Sequence, residues 1–179
     1  MKILIAYATT DGQTRKIARF AAHQFAEAGH AVELLNVEDA EGLDVSRFDG
    51  AVLAGSLHAG GYQKALAQFV TAARDALAAR PTLMLPVSLS AAGTDAEDWA
   101  GLKKCLAEFL RETGWTPGRV EHVAGAFRFS EYDFFRAWAM RRIADQKGQK
   151  VMPDKDIEYT DWSRLGAVLD EWLAGIGKG

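Results

Sequence analysis

The chain has a single cysteine and no long apolar run, and each of these features excludes a class of structure. Its only cysteine, Cys105, has no partner within this sequence of 179 residues for an intramolecular disulfide. No apolar run reaches the ~18 residues of a membrane-spanning helix. A net charge of −3 gives no overall attraction to nucleic acid. The four histidines follow no metal-ligand spacing, so we expect no metal site.

Apolar segments that alternate with helical patterns indicate an α/β fold. The predicted strands cover 2–8, 31–37, 51–55, 81–88 and 120–126, although Pro86 is unusual inside a central strand. The predicted helices follow the first loop, cover 63–79, run from a Thr94-x-x-Glu97 capping box to Gly114, and begin again near Asp161. We expect one domain, residues 1–179, with a doubly wound parallel sheet of order 2-1-3-4-5 and helices on both faces.

The loop after the first strand suits a phosphate group. The strand is followed directly by small hydroxyl, amide and glycine residues and then by a helix, whose free N–H groups and dipole attract anions. The loop matches neither the P-loop nor the dinucleotide fingerprint. The alternative is a plain helix start with Asp11 as its N-cap. The candidate phosphate residues are Thr9, Thr10, Asp11, Gly12, Gln13 and Thr14.

This loop and the strand order resemble those of flavodoxins, whose phosphate loop has the pattern [ST]-x-T-G-x-T. The resemblance implies FMN as cofactor, with its ring held between the loops after strands three and four. The residues implied on one side are Ser56, Leu57, His58, Ala59, Gly60 and Gly61, and those on the other are Ser88, Leu89 and Ser90. Flavodoxins usually stack an aromatic residue on the ring, and Tyr62 or His58 could replace it here.

The segment at about 127–160 is an insertion relative to a minimal flavodoxin. Residues 127–150 hold six basic and three acidic side chains, so they carry +3 in a chain of −3, together with six aromatic residues. A helix over 132–143 would be basic and aromatic, which suits an anionic membrane surface or a flat ligand with carboxylates. The remaining alternative is a helix packed on its own domain.

Several motifs together resemble the HemG-type, quinone-dependent protoporphyrinogen oxidases of the flavodoxin-like family. They are Thr9-x-Asp-Gly-Gln-Thr, Ala124-Gly-Ala-x-Arg128, Tyr132-Asp-Phe-Phe135 and Tyr159-Thr-Asp-Trp162. One departure is Ser-Leu-His-Ala-Gly at 56–60, where the family pattern is closer to Ser-Ile-Arg-Tyr-Gly. The resemblance implies oxidation of protoporphyrinogen IX to protoporphyrin IX in heme biosynthesis, with a quinone of the respiratory chain as acceptor.

The same resemblance implies a cytoplasmic protein that could contact the inner face of the cytoplasmic membrane as a peripheral protein. The candidate ligands for substrate carboxylates or lipid headgroups are Arg128, Arg136, Arg141 and Arg142. No catalytic acid or base is assigned. The alternatives are a flavodoxin-type FMN electron carrier, an NAD(P)H:quinone reductase, and a flavodoxin-like module without flavin.

Overall fold

A parallel sheet forms the frame of the protein. The computed structural model describes residues 1–58, 60–127 and 156–176. The strands of the sheet run in the order β2-β1-β3-β4-β5, with β6 also paired to β4, and all of these pairs are parallel. The predicted strand order is therefore confirmed. The strands are β1 (Lys2–Ala8), β2 (Ala31–Asn36), β3 (Gly50–Ser56), β4 (Thr82–Ser88), β5 (Arg119–Val120) and β6 (Val123–Ala124).

Helices cover both faces of this sheet because each central strand is apolar on both faces. On β1, Ile3 and Ile5 lie in a core with helix residues such as Phe25, whereas Leu4 lies in a second core that includes Phe109. This alternation follows from the two-residue period of a strand. The helices are α1 (Gln13–Glu27), α2 (Lys64–Ala78), α3 (Ala96–Thr113) and α4 (Trp162–Ile176). Helices α1 and α4 contribute to the first core, and α2 and α3 to the second.

Two predictions about local structure are wrong. The capping box at Thr94 does not form, because the Asp95 carboxylate caps α3 by accepting hydrogen bonds from the backbone N–H groups of Glu97 and Asp98, both at 2.9 Å. The predicted fifth strand, 120–126, is also not continuous. It is divided into β5 and β6, and the chain then forms β7 (Ala126–Phe127), which pairs antiparallel with β8 (Ile157–Glu158). An edge strand tolerates such a break because it has only one neighbour.

Pro86 does not interrupt β4. It lies opposite Gly55 in the parallel register between β3 and β4. No helix within the described ranges is both long and apolar enough to cross a membrane.

Candidate functional site

Helix α1 begins with an open N-terminus that faces the end of β1. Gly12 is the N-cap residue and has a left-handed backbone with φ of +85°, which glycine adopts without strain. No side chain caps the helix, and its first turn contains no acidic residue. The alternative in which Asp11 caps this helix is therefore wrong. The Gly12 N–H donates to Thr9 Oγ1 at 2.9 Å, which stabilises the turn.

Two buried side-chain oxygen atoms, one in the loop before α1 and one in the first turn of α1, have no hydrogen-bond partner. The Thr14 side chain is only 1% exposed, and its hydroxyl is unpaired. Asp11 Oδ1 is buried and unpaired as well. An unsatisfied buried polar group costs roughly 1–3 kcal/mol, so such atoms point to a missing partner. FMN fits this requirement, because its phosphate oxygens can accept from Thr14 and its ribityl hydroxyls can donate to Asp11.

Gln63 connects the loop after β1 to the end of β3, and the sequence did not suggest this role. Its side-chain amide donates to Thr10 Oγ1 at 2.9 Å and also to Ser56 Oγ. The Thr10 N–H donates to the same Ser56 oxygen at 3.3 Å. Gln63 belongs to no motif, and its position as the N-cap of α2 is the one sequence signal that could have drawn attention to it.

The loop after β3 is held in a tight turn. His58 and Gly61 exchange two backbone hydrogen bonds, at 2.9 and 3.0 Å, and Gly60 between them has φ of +84°. The Leu57 N–H donates to the Val87 carbonyl at 2.8 Å, so this loop is joined to β4. The predicted ring-binding residue Ala59 lies outside the described residues.

Helix α3 supports the same loop from behind. The half-buried Cys105 thiol lies 3.2 Å from the Gly60 carbonyl oxygen and donates to it, so Cys105 stabilises this loop. The Tyr62 ring packs against Phe109, with 4.9 Å between ring centroids, and its burial raises the pKa of the phenol. Tyr62 therefore packs against the second core. This contact argues against the prediction that Tyr62 stacks on the flavin ring.

The loop after β4 holds the residues predicted to line the second side of the flavin ring. Ser88 is buried, and its hydroxyl accepts from the Ala91 N–H at 3.2 Å while its carbonyl accepts from the Gly125 N–H at 2.9 Å. Leu89 and Ser90 are half-buried and begin a short 3₁₀ turn. The predicted wall residues are therefore anchored to both the turn and the strand beside it.

The Tyr-Thr-Asp-Trp motif joins the starts of α1 and α4. Thr160 is 9% exposed; its hydroxyl donates to the Ala124 carbonyl at 2.7 Å and accepts from Gln13 Nε2 at 2.9 Å. The Gln13 side chain is therefore engaged by Thr160. Asp161 Oδ1 accepts from the Arg164 N–H at 2.9 Å and begins α4.

A cluster of one cation, one carboxylate and one indole connects α1, β8 and the first residue of α4. The Lys16 ammonium donates to Glu158 Oε2 and lies 5.2 Å from the centre of the Trp162 ring. The Trp162 indole donates to Glu158 Oε1 at 2.7 Å. These donors, with Lys16 the strongest, hold the pKa of Glu158 below its usual value.

The four arginines predicted for substrate or lipid lie outside the described residues, as does most of the insertion. They are Arg128, Arg136, Arg141 and Arg142. The remaining candidates that the structure describes follow the carboxyl ends of β1, β3 and β4, which are neighbouring parallel strands.

Comparisons with known proteins agree with this arrangement. A family model described as a flavodoxin domain matches residues 4–154. Protoporphyrinogen IX dehydrogenase [quinone] of Escherichia coli K12 is 29% identical over 165 residues, which are 92% of this chain and 91% of that protein. The protein of the same name from Leishmania major is 27% identical over 174 residues, which are 97% of this chain and 75% of that one.

Solved structures resemble the fold as well. A short-chain flavodoxin associated with a bacterial microcompartment superposes with a TM-score of 0.61 at 12% identity, covering 98% of this chain and 99% of that one. This likeness extends the agreement from sequence to the arrangement of strands and helices.

Proposed function

The chain belongs to the flavodoxin domain family, and on that premise we propose that it is an FMN-dependent oxidoreductase that oxidises protoporphyrinogen IX and reduces a quinone. Family membership implies FMN as the cofactor. The observation that carries the FMN part of the proposal is the uncapped start of α1 with the buried, unpaired hydroxyl of Thr14, because a phosphate oxygen can accept from the free N–H groups and from this hydroxyl. Two curated relatives named for this reaction support the substrate and acceptor.

The flavin would supply reversible two-electron chemistry, and the protein would supply position and electrostatics. Protoporphyrinogen IX loses six electrons and six protons on conversion to protoporphyrin IX, in three two-electron steps. The residues of this chain would bind the cofactor phosphate through Thr14 and the N–H groups of α1. The loops after β3 and β4 would hold the ring from two sides.

The basic insertion would recognise the carboxylates of the substrate or the headgroups of a membrane. Arg128, Arg136, Arg141 and Arg142 are the proposed ligands, because arginine pairs with carboxylate and phosphate through two parallel hydrogen bonds. Neutral replacement of two of them is expected to raise the KM or to weaken membrane association without changing the FMN content. Unchanged kinetics and unchanged membrane binding would overturn this assignment.

An anaerobic assay tests the reaction. The FMN-loaded protein is mixed with protoporphyrinogen IX and menadione, and porphyrin fluorescence is followed against a control with free FMN. Porphyrin formation that depends on both protein and quinone is the expected result. A flavin that can be reduced but gives no turnover would instead favour the electron carrier.

A further inference from the structure

A cleft of about 230 Å³ lies at the outer edge of the sheet, next to the loop after β4. Ala91 and Ala92 form one wall, residues 121–124 form the second, and the first turns of α4 form the third. Ala91 follows directly on Ser88–Ser90, which are the residues predicted to line the flavin ring. The cleft and the predicted flavin site are therefore separated by a single loop.

The interior of the cleft suits a flat apolar ring. Its floor includes the buried side chains of Val123, Leu165 and Val168. Trp99 and His122 also line it and meet edge to face, with 5.4 Å between ring centroids. Aromatic edges over an aliphatic floor are typical of sites for planar, weakly polar ligands.

The lining of the cleft also includes a charged pair, Arg164 and Glu121. The Arg164 guanidinium donates to Glu121 Oε1 from Nη2 at 2.6 Å and from Nε at 3.2 Å. Glu121 is 17% exposed, whereas the Arg164 side chain is 71% exposed and has further N–H groups to offer. Desolvation lowers the pKa of His122, and its buried Nδ1 has no hydrogen-bond partner.

The size of the cleft distinguishes between the two substrates. Its 230 Å³ is less than the roughly 300–1,000 Å³ of pockets that enclose drug-sized ligands. A tetrapyrrole with its carboxylate side chains is too large to be enclosed in this volume. One or two fused rings are of a size that this volume can enclose.

We propose that this cleft binds the ring of the quinone acceptor, with Arg164 donating to a quinone carbonyl. The assignment rests on the proposed function for its choice of acceptor. It implies that porphyrinogen and quinone use different sites around one flavin. Arg164 and the walls at Ala92 and Trp99 would then determine which quinones are accepted.

The proposed step would transfer two electrons and two protons from reduced FMN to the quinone. Reduced FMN gives up two electrons and two protons when it returns to the oxidised form. The quinone takes up two electrons and two protons to become the quinol, so its two carbonyl oxygens become hydroxyls. Electrons would cross the loop 88–92, and protons would exchange through solvent at the open rim.

The test separates quinone reduction from the porphyrinogen reaction. The flavin of the full-length, FMN-loaded protein is reduced anaerobically with dithionite, menadione is added, and flavin reoxidation is followed by absorbance. The variants are Arg164→Gln, which removes the guanidinium and its positive charge, and Ala92→Leu, which narrows the cleft. Arg74→Gln is the matched control, because Arg74 is an exposed, ion-paired arginine on α2, away from the cleft.

The expected result is a saturating dependence on menadione in the native protein. Both cleft variants should raise the half-saturating concentration about tenfold, as for the loss of one hydrogen bond to a charged group or of part of the site. The control variant should leave it unchanged. Quenching of tryptophan fluorescence by menadione in the oxidised protein should weaken in the same variants, which reports binding without turnover.

Each other outcome has a definite meaning. Equal reoxidation by all variants, or a rate that rises linearly with menadione, would overturn the cleft assignment. Saturation that is sensitive to the cleft variants but accompanied by no reaction with protoporphyrinogen would keep the quinone site and reject the proposed donor. Unchanged FMN content and circular dichroism of the variants would show that folding is not the cause.

Discussion

Replacing Thr14 with valine should weaken FMN binding and stabilise the protein without FMN. The change keeps the β-branched shape of a side chain that is 1% exposed but removes a hydroxyl without a partner. In the protein without FMN, loss of an unsatisfied buried hydroxyl should raise the free energy of unfolding by about 1 kcal/mol. For a chain of this length that is a rise in Tm of about 3 °C.

With FMN, the same change removes a hydrogen bond to a charged phosphate. Such bonds contribute roughly 1.5–3 kcal/mol, so FMN affinity should fall by roughly 10- to 100-fold. Riboflavin has no phosphate, and its affinity should be unaffected. Titration with each flavin, followed by flavin fluorescence, measures the difference, and thermal unfolding of the protein without FMN measures the stability.

Thr113→Val is the matched control for this experiment. Thr113 is also 1% exposed and lies in a helix, but its hydroxyl donates to the Phe109 carbonyl at 2.9 Å. Its replacement should lower stability slightly and leave FMN affinity intact. Equal losses of FMN and riboflavin affinity in Thr14→Val, or a lower Tm without FMN, would refute the assignment of Thr14 to the phosphate.

Three further predictions concern the surroundings of this loop. Gly12→Ala places a Cβ on a left-handed backbone, and it should lower the free energy of unfolding by about 1–2 kcal/mol and weaken FMN binding, measured by denaturant unfolding and flavin titration. Thr160→Val leaves the Gln13 amide without its acceptor and should lower Tm by a few degrees, while unchanged thermal unfolding would contradict the proposed link. Glu158→Gln removes a carboxylate whose pKa is depressed by Lys16, so the native protein should be more stable than the variant, by less than about 1 kcal/mol, above the usual carboxyl pKa of 4.5. That difference should vanish as the pH falls through the depressed pKa, and urea unfolding at pH 3 and pH 7 measures it.

Much of the fold could be predicted because periodicity depends on local chemistry. The continuous apolar runs of β1, β3 and β4 predict strands buried on both faces, and their alternation with helices predicts parallel pairing. The strand order also followed from the flavodoxin-like motifs. The sequence did not decide which of two adjacent residues caps α3, because Thr94 and Asp95 are both of types favoured at an N-cap. In the structure Asp95 is the cap.

The amino-acid sequence by itself determined the strand–loop–helix unit at 2–27 and predicted a phosphate loop within it, because both depend on residues close together in the chain. Only the tertiary structure revealed that Thr14 is buried without a partner and that Gln63 connects Thr10 to Ser56. It also brought Trp99, His122 and Arg164 to one cleft from three separate segments. Burial and contacts between distant segments depend on how helices pack on the sheet, and no local pattern encodes that packing.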